Sequence, residues 1–121
     1  MTWSEMAEES WLAANELRTS GRLRSCVSRA YYSAYAQATA SLERQGIRFK
    51  EARDGPTHAS LADLVVTNLK FDRKQKYQTR RALLSLYKAR VQADYFKEDV
   101  DESFAVRALR DASMIGRALG E

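Results

Sequence analysis

Two short segments place arginine and tyrosine side chains inside helical patterns that are otherwise apolar. Residues 28–32 read S-R-A-Y-Y, and residues 90–95 read R-V-Q-A-D-Y. A buried guanidinium or phenol needs a partner for its polar atoms, so both residue types are poor choices for a core that only has to be filled. Both groups offer ion pairing and hydrogen bonding. The two segments are therefore the first candidates for a functional site.

Arg90 is expected at the border of an apolar helix face or inside it, because it follows Leu86 and Tyr87 on adjacent turns. Asp94 lies one turn further on. An arginine before an aspartate is the weaker orientation for an i,i+4 pair, and an acid near a helix C-terminus opposes the helix dipole. Local helix stability therefore does not explain Asp94. We predict that it pairs instead with Arg29, so that a structural ion pair pins the second helix to the fourth.

These two motifs resemble those of the HEPN superfamily of small all-helical proteins, in particular the branch that carries R-x-x-A-D-Y. Many HEPN proteins are metal-independent ribonucleases, in which an arginine is followed after four to six residues by a histidine. Two copies of that motif meet across a dimer interface. The histidine acts as general acid or base on the 2′-hydroxyl or the leaving oxygen, and the arginine stabilises the pentacovalent phosphate. The resemblance, which covers most of the chain, gives Arg90 the role of that arginine and implies no cofactor.

The chain departs from this pattern at the histidine. Residues 95–97, the positions allowed for it, are Tyr95, Phe96 and Lys97. A tyrosine with an ordinary pKa near ~10 is a poor base at neutral pH, but Tyr95 could donate a hydrogen bond to a phosphate or cap the arginine. His58, the only histidine, either substitutes for the missing residue or is a structural residue in the first turn of the third helix.

Basic residues are concentrated in one part of the chain. The net charge of +4 would not by itself imply nucleic acid. Between residues 70 and 90, however, Asp72 is the only acid among eight cations, and we predict a basic surface that holds RNA phosphates. The alternative is a solubilising face. The residues expected to contact phosphates are Arg73, Lys74, Arg80 and Arg81. The preceding loop would extend this surface with Arg44, Arg48, Lys50 and Arg53.

Hydrophobic periodicity predicts five helices and no convincing strand. The composition, 45% hydrophobic and 30% charged, is that of a helical globule and excludes a disordered chain. The chain of 121 residues is expected to form one domain, an antiparallel bundle. The fourth helix is expected to bury an apolar face that includes Tyr77 and Leu84. The predicted helices span about residues 4–20, 22–45, 57–69, 73–96 and 101–119.

The remaining features of the composition indicate the cellular compartment. Apolar runs are too short to span a membrane. A single cysteine, Cys26, cannot form an intrachain disulfide, and the chain lacks a cysteine and histidine set for a metal. These features favour a bacterial or archaeal cytoplasm.

The resemblance supplies the functional expectation. It implies a homodimer that binds RNA or a nucleotide-related ligand in a prokaryotic toxin–antitoxin or defence system, beside a small nucleotidyltransferase partner. Two alternatives remain. The chain is a weak ribonuclease that uses Arg90, or it is a catalytically silent binding or scaffold module whose R-x-x-A-D-Y motif is structural.

Overall fold

The computed structural model describes residues 1–47, 49 and 55–120. Within these residues the chain forms five α-helices and no strand, so the prediction of an all-α bundle is confirmed. In chain order the helices are α1 Trp3–Thr19, α2 Leu23–Arg44, α3 Leu61–Asn68, α4 Arg73–Tyr95 and α5 Glu102–Leu119.

Helix α2 is the centre of the bundle, because it packs against each of the other four helices. Its buried face carries many small residues, among them Ala30, Ala34 and Ala38. Small side chains let the neighbouring helices approach closely, and the larger Tyr31 and Tyr35 fill the space that remains between the helices. Both tyrosines are buried.

Helix α3 begins later than the periodicity predicts. Residues 57–60 form a turn in which the backbone nitrogen of Ser60 donates to the Thr57 hydroxyl at 3.2 Å. A side chain that bonds to nearby backbone in this way competes with helix formation. His58 therefore lies in the turn before α3 and not in the first turn of the helix.

Two expectations for the apolar face of α4 are wrong. Tyr77 is 69% exposed and Leu84 is 42% exposed. They lie seven residues apart on one stripe of α4, whereas Leu83 and Leu86 are buried against the rest of the bundle.

Arg24 of α2 fixes the end of α4. Its guanidinium donates to the carbonyl oxygens of Ala93 at 2.8 Å and Phe96 at 2.7 Å, and also to that of Glu98. The last carbonyls of a helix have no partner within the helix, so these bonds stabilise the helix end and tie it to α2. They also hold the segment that carries Tyr95.

No helix in the described part of the chain is both long enough and apolar enough to cross a bilayer.

Candidate functional site

Side chains from α2, α4 and the turn before α3 meet in one cluster of aromatic and charged groups. Helices α2 and α4 pack directly on each other, which brings the S-R-A-Y-Y and R-V-Q-A-D-Y segments together. We call this group the Arg90 cluster. Its members are Tyr31, Tyr32, Tyr35, His58, Tyr87, Arg90, Asp94 and Tyr95.

Arg90 is held by tyrosine rings. Its side chain is only 13% exposed. The guanidinium carbon lies 5.8, 5.6 and 5.8 Å from the ring centroids of Tyr31, Tyr32 and Tyr95, within the range of cation–π attraction. One terminal nitrogen also donates to the Tyr32 hydroxyl at 3.2 Å. The arginine is therefore positioned before any ligand arrives.

Asp94 lies within ion-pair distance of Arg90 on the same helix. Its Oδ2 lies 3.2 Å from Arg90 Nε, one helical turn away. The Nε–H is buried and has no aligned hydrogen-bond acceptor among the described residues, so the contact is an electrostatic one. Burial lowers the pKa of Arg90, but the Tyr32 phenol and the Asp94 carboxylate outweigh burial and raise it. The guanidinium stays charged at every pH at which the protein is studied.

The expected pair between Arg29 and Asp94 does not form in this structure. Arg29 is exposed and lines a groove with Met6, Glu9 and other residues of α1. Ser28, the preceding residue, faces α4 instead, and its hydroxyl lies 3.5 Å from Asp94 Oδ2. Successive residues of a helix point about 100° apart, so Ser28 and Arg29 cannot both face α4.

His58 joins the cluster through Tyr31. Its Nδ1 lies 2.5 Å from the Tyr31 hydroxyl oxygen. Its ring is nearly parallel to that of Tyr87, with an interplanar angle of 14° and centroids 5.9 Å apart. Because the Tyr31 ring also contacts Arg90, the only histidine and the motif arginine belong to the same site although 32 positions separate them in the sequence.

The Tyr31 hydroxyl fixes the tautomer of His58. Tyr31 is 1% exposed, and burial raises its pKa, so the phenol keeps its proton. Within the described residues Nδ1 of His58 is the only acceptor for that proton. We therefore assign Nδ1 as the acceptor, which leaves the proton of the neutral imidazole on Nε2.

The surroundings of His58 favour its neutral form. Burial lowers the pKa of its imidazole, and the positive charge of Arg90 lowers it further. A neutral ring with its proton on Nε2 donates a hydrogen bond well but gives up that proton reluctantly. The site therefore offers a hydrogen-bond donor close to a guanidinium, while its capacity for proton transfer is modest.

The pKa of His58 should rise toward its ordinary value when Arg90 is replaced by methionine. Removing the neighbouring cation removes its repulsion of the imidazolium. The measurement is an NMR titration of the imidazole Cε1 proton, which is unambiguous in a chain with one histidine. Arg110→Met is the control, since Arg110 lies on another surface, and it should leave the midpoint unchanged. An equal midpoint in wild type and Arg90→Met would contradict the proximity described above.

Tyr95 covers the arginine from the solvent side. Tyr95 is 70% exposed, and its ring lies against the guanidinium of Arg90. Of the two roles open to Tyr95, capping the arginine is the one that this contact supports. Its exposed position also leaves the hydroxyl accessible to a ligand.

The four cations expected to contact phosphates lie in the first three turns of α4. Arg73 and Lys74 are exposed at the start of α4, about 25 Å along the helix from Arg90. Arg80 pairs with the exposed Asp63 of α3. Arg81 lies instead in a groove between α4 and α5.

Of the cations assigned to the loop, Arg44 is the one in the described part of the chain, and it lines a groove with Lys70, just before α4. Arg44 donates to the Leu119 carbonyl at 2.8 Å and so faces the end of α5. Arg48, Lys50 and Arg53 lie outside the described residues.

Sequence reasoning found most members of the Arg90 cluster but missed its connections. Tyr87 was assigned only to packing, and the contact between Tyr31 and His58 was not anticipated. Two further cations, Arg107 and Arg110, were also missed. They lie beside Arg81 in the groove, and their i,i+3 spacing on α5 was the available signal.

Among the described residues, no group of three or more histidine, cysteine, aspartate or glutamate side chains is arranged to hold a metal ion.

The family model described as HEPN domain matches residues 1–121. No curated protein matches this chain.

Proposed function

Since this chain belongs to the HEPN family, we propose that it binds RNA at the Arg90 cluster and cleaves it slowly without a metal ion. We further propose that it acts in the cytoplasm of a prokaryote, as part of a toxin–antitoxin or defence system. The family as a whole is often associated with toxin and defence ribonucleases.

The observation that supports a ribonuclease is the place of His58. The sequence lacks a histidine at residues 95–97, where ribonucleases of this kind carry one. His58 reaches the neighbourhood of Arg90 from a different element, through its bond to Tyr31. We propose that this arginine and this histidine act on one phosphate, although their spacing along the chain is not the usual one.

The roles follow from the chemistry of each group. The 2′-hydroxyl attacks phosphorus, the bond to the 5′-oxygen breaks, and a 2′,3′-cyclic phosphate forms. Water takes the proton of the 2′-hydroxyl. Arg90 stabilises the negative charge that develops on the phosphate, Nε2–H of His58 donates a hydrogen bond to the leaving 5′-oxygen, and water supplies the proton that this oxygen takes up. Because a neutral imidazole is a weak acid, the reaction is slow.

Purified protein and a fluorescent RNA oligonucleotide, incubated with excess EDTA, provide the test. We expect slow cleavage that leaves cyclic phosphate ends, and no cleavage of DNA with the same sequence, because DNA lacks the 2′-hydroxyl. RNA that survives as long as it does in buffer alone would contradict the proposed reaction.

A catalytically silent module is the second candidate, and the burial of Arg90 favours it. The guanidinium is enclosed by three rings and already faces a carboxylate. In that case the chain binds RNA or a nucleotide-related ligand without cleaving it, or serves as a scaffold for a small nucleotidyltransferase. Binding of RNA without cleavage, or a stable complex with such a partner, would distinguish this candidate from the first.

We also propose that the protein is a homodimer. Exposed apolar side chains support this: Tyr77 and Leu84 share a stripe of α4, and Tyr95 and Phe96 follow at its end. Large exposed apolar groups on neighbouring surfaces are typical of an interface. Light scattering at micromolar concentration should give twice the mass of the chain. A monomer at that concentration would contradict the dimer and any site shared between subunits.

A further inference from the structure

A groove between α4 and α5 collects cations on both of its walls. Its volume is about 490 Å³. The floor is partly apolar, with Leu86, Ala89 and Ala108, and the aromatic ring of Phe104 lies at one side. The cations are Arg81 and Lys88 from α4 and Arg107 and Arg110 from α5.

These cations form no ion pair with a carboxylate of the described residues. In the part of the chain that the structure describes, none of the four lies within ion-pair distance of a carboxylate. Other arginines differ in this respect, since Arg18 pairs with Glu102 and Arg80 pairs with Asp63. The groove therefore presents four cations against one neighbouring carboxylate, that of Asp111.

Asp111 is the one acid that lines the groove. Burial raises the pKa of its carboxyl, while Arg81, a hydrogen bond from Ser85 and Arg110 act in the opposite direction. Four cations against one carboxylate leave the groove strongly positive even when Asp111 is ionised. Asp111 also attracts Arg81 electrostatically.

The groove is separate from the Arg90 cluster. At 3.6 residues per turn, Arg81 and Lys88 lie about 160–180° around α4 from Arg90. One helix therefore carries the buried arginine on its inner side and part of a basic groove on its outer side. A ligand long enough to cross the helix could contact both.

We propose that this groove binds the sugar–phosphate backbone of an RNA strand, away from the Arg90 cluster. The proposal rests on RNA as the ligand in the proposed function and adds a second place where that strand is held. Three of the four cations are arginines, whose planar guanidinium matches phosphate oxygens in pairs. A volume of about 490 Å³ is suited to one or two nucleotides at a time.

The test measures RNA affinity at several salt concentrations by fluorescence anisotropy. The probe is a single-stranded RNA with 2′-O-methyl groups, which removes the nucleophile and prevents cleavage. Arg107→Glu and Lys88→Glu should weaken binding, and each should reduce the slope of log affinity against log salt by about 0.7 for each phosphate that the variant no longer binds. Arg107→Gln, a milder change, should reduce the slope in the same direction.

Arg117→Glu is the matched control. Arg117 and Arg107 both lie on α5, and each donates to the serine four residues earlier, Ser113 and Ser103 respectively. Arg117 lines a different groove, together with Trp11 of α1. Reversing the charge of Arg117 should leave the slope as in wild type. This variant therefore measures any effect that a change in net charge has at a position outside the groove.

The outcomes separate this proposal from the proposed function. If Arg107→Glu and Lys88→Glu bind RNA like Arg117→Glu, the groove assignment is overturned, whether or not wild type cleaves RNA. If they lose affinity while wild type fails to cleave, the groove stands and the ribonuclease fails. Poly-glutamate that competes as well as RNA at equal charge would overturn the choice of RNA in favour of an acidic peptide.

Discussion

Replacement of Arg90 by alanine should lower the rate of RNA cleavage in EDTA by about 10²–10³-fold. A charged donor that faces the developing phosphate charge in a largely dry site contributes a factor of this size. Lysine at position 90 should restore part of the rate, since it returns the charge but not the planar pair of donors. The measurement is a single-turnover time course with a defined RNA oligonucleotide.

Arg80→Ala is the control for this change. Arg80 lies on the same helix and also faces a carboxylate, but it is exposed and remote from the tyrosine rings. Its loss should leave the rate within about twofold, as expected for a surface pair of little energetic weight. If Arg90→Ala and wild-type preparations cleave equally, the activity does not arise at the Arg90 cluster.

Replacement of His58 by alanine should lower the cleavage rate by about 10²-fold, because it removes the hydrogen-bond donor to the leaving oxygen. His58 is the only imidazole in the chain, and its partner Tyr31 is too firmly protonated to replace it. Tyr95→Phe should have a small effect, because it keeps the ring that covers Arg90. The same time course, applied to both variants, provides the measurement.

The two variants distinguish two sources for the missing group. Loss of rate in His58→Ala alone assigns the role to the turn before α3. Loss in Tyr95→Phe alone would assign it to the phenol on α4 and contradict our proposal. Tyr31→Phe keeps the imidazole but removes the hydroxyl that fixes its tautomer, so its rate should lie between those of wild type and His58→Ala.

The helical architecture could be predicted because hydrophobic periodicity reports which residues face a core. Hydrophobic periodicity does not report hydrogen bonds between a side chain and nearby backbone, which compete with the first turn of a helix. Because of such a bond between Thr57 and Ser60, α3 begins four residues later than predicted. Periodicity also assigned Tyr77 and Leu84 to the core. A side chain that is apolar in type can remain exposed where the neighbouring helices do not reach it.

The Arg90 cluster was only partly predictable. The burial of Arg90 followed from its phase on α4 and is confirmed. The partner of Asp94 did not follow, because a rotation of about 100° around α2 decides whether Ser28 or Arg29 faces it. The place of His58 depends on how residues 55–60 cross the bundle, and a single sequence carries no direct signal for such a tertiary contact.

The surroundings of Arg90 and Arg29 determine which of the two substitutions lowers the stability of the fold more. The structure places Arg90 among buried rings and Arg29 in an exposed groove. Arg90→Ala should therefore destabilise the fold more than Arg29→Ala, which is the reverse of the order that the expected pair with Arg29 implied. The basic groove shows the same limit of sequence reasoning, since its cations come from two helices whose relative rotation the sequence does not specify.

A double-mutant cycle on single-turnover cleavage tests the central claim, that Arg90 and His58 act on the same phosphate. Four proteins are compared in EDTA: wild type, Arg90→Met, His58→Ala and the double variant. Residues that act as a unit are strongly non-additive, so the double variant should cleave no more than a few fold slower than the slower single variant. A double variant whose loss equals the product of the two single losses would contradict a shared site.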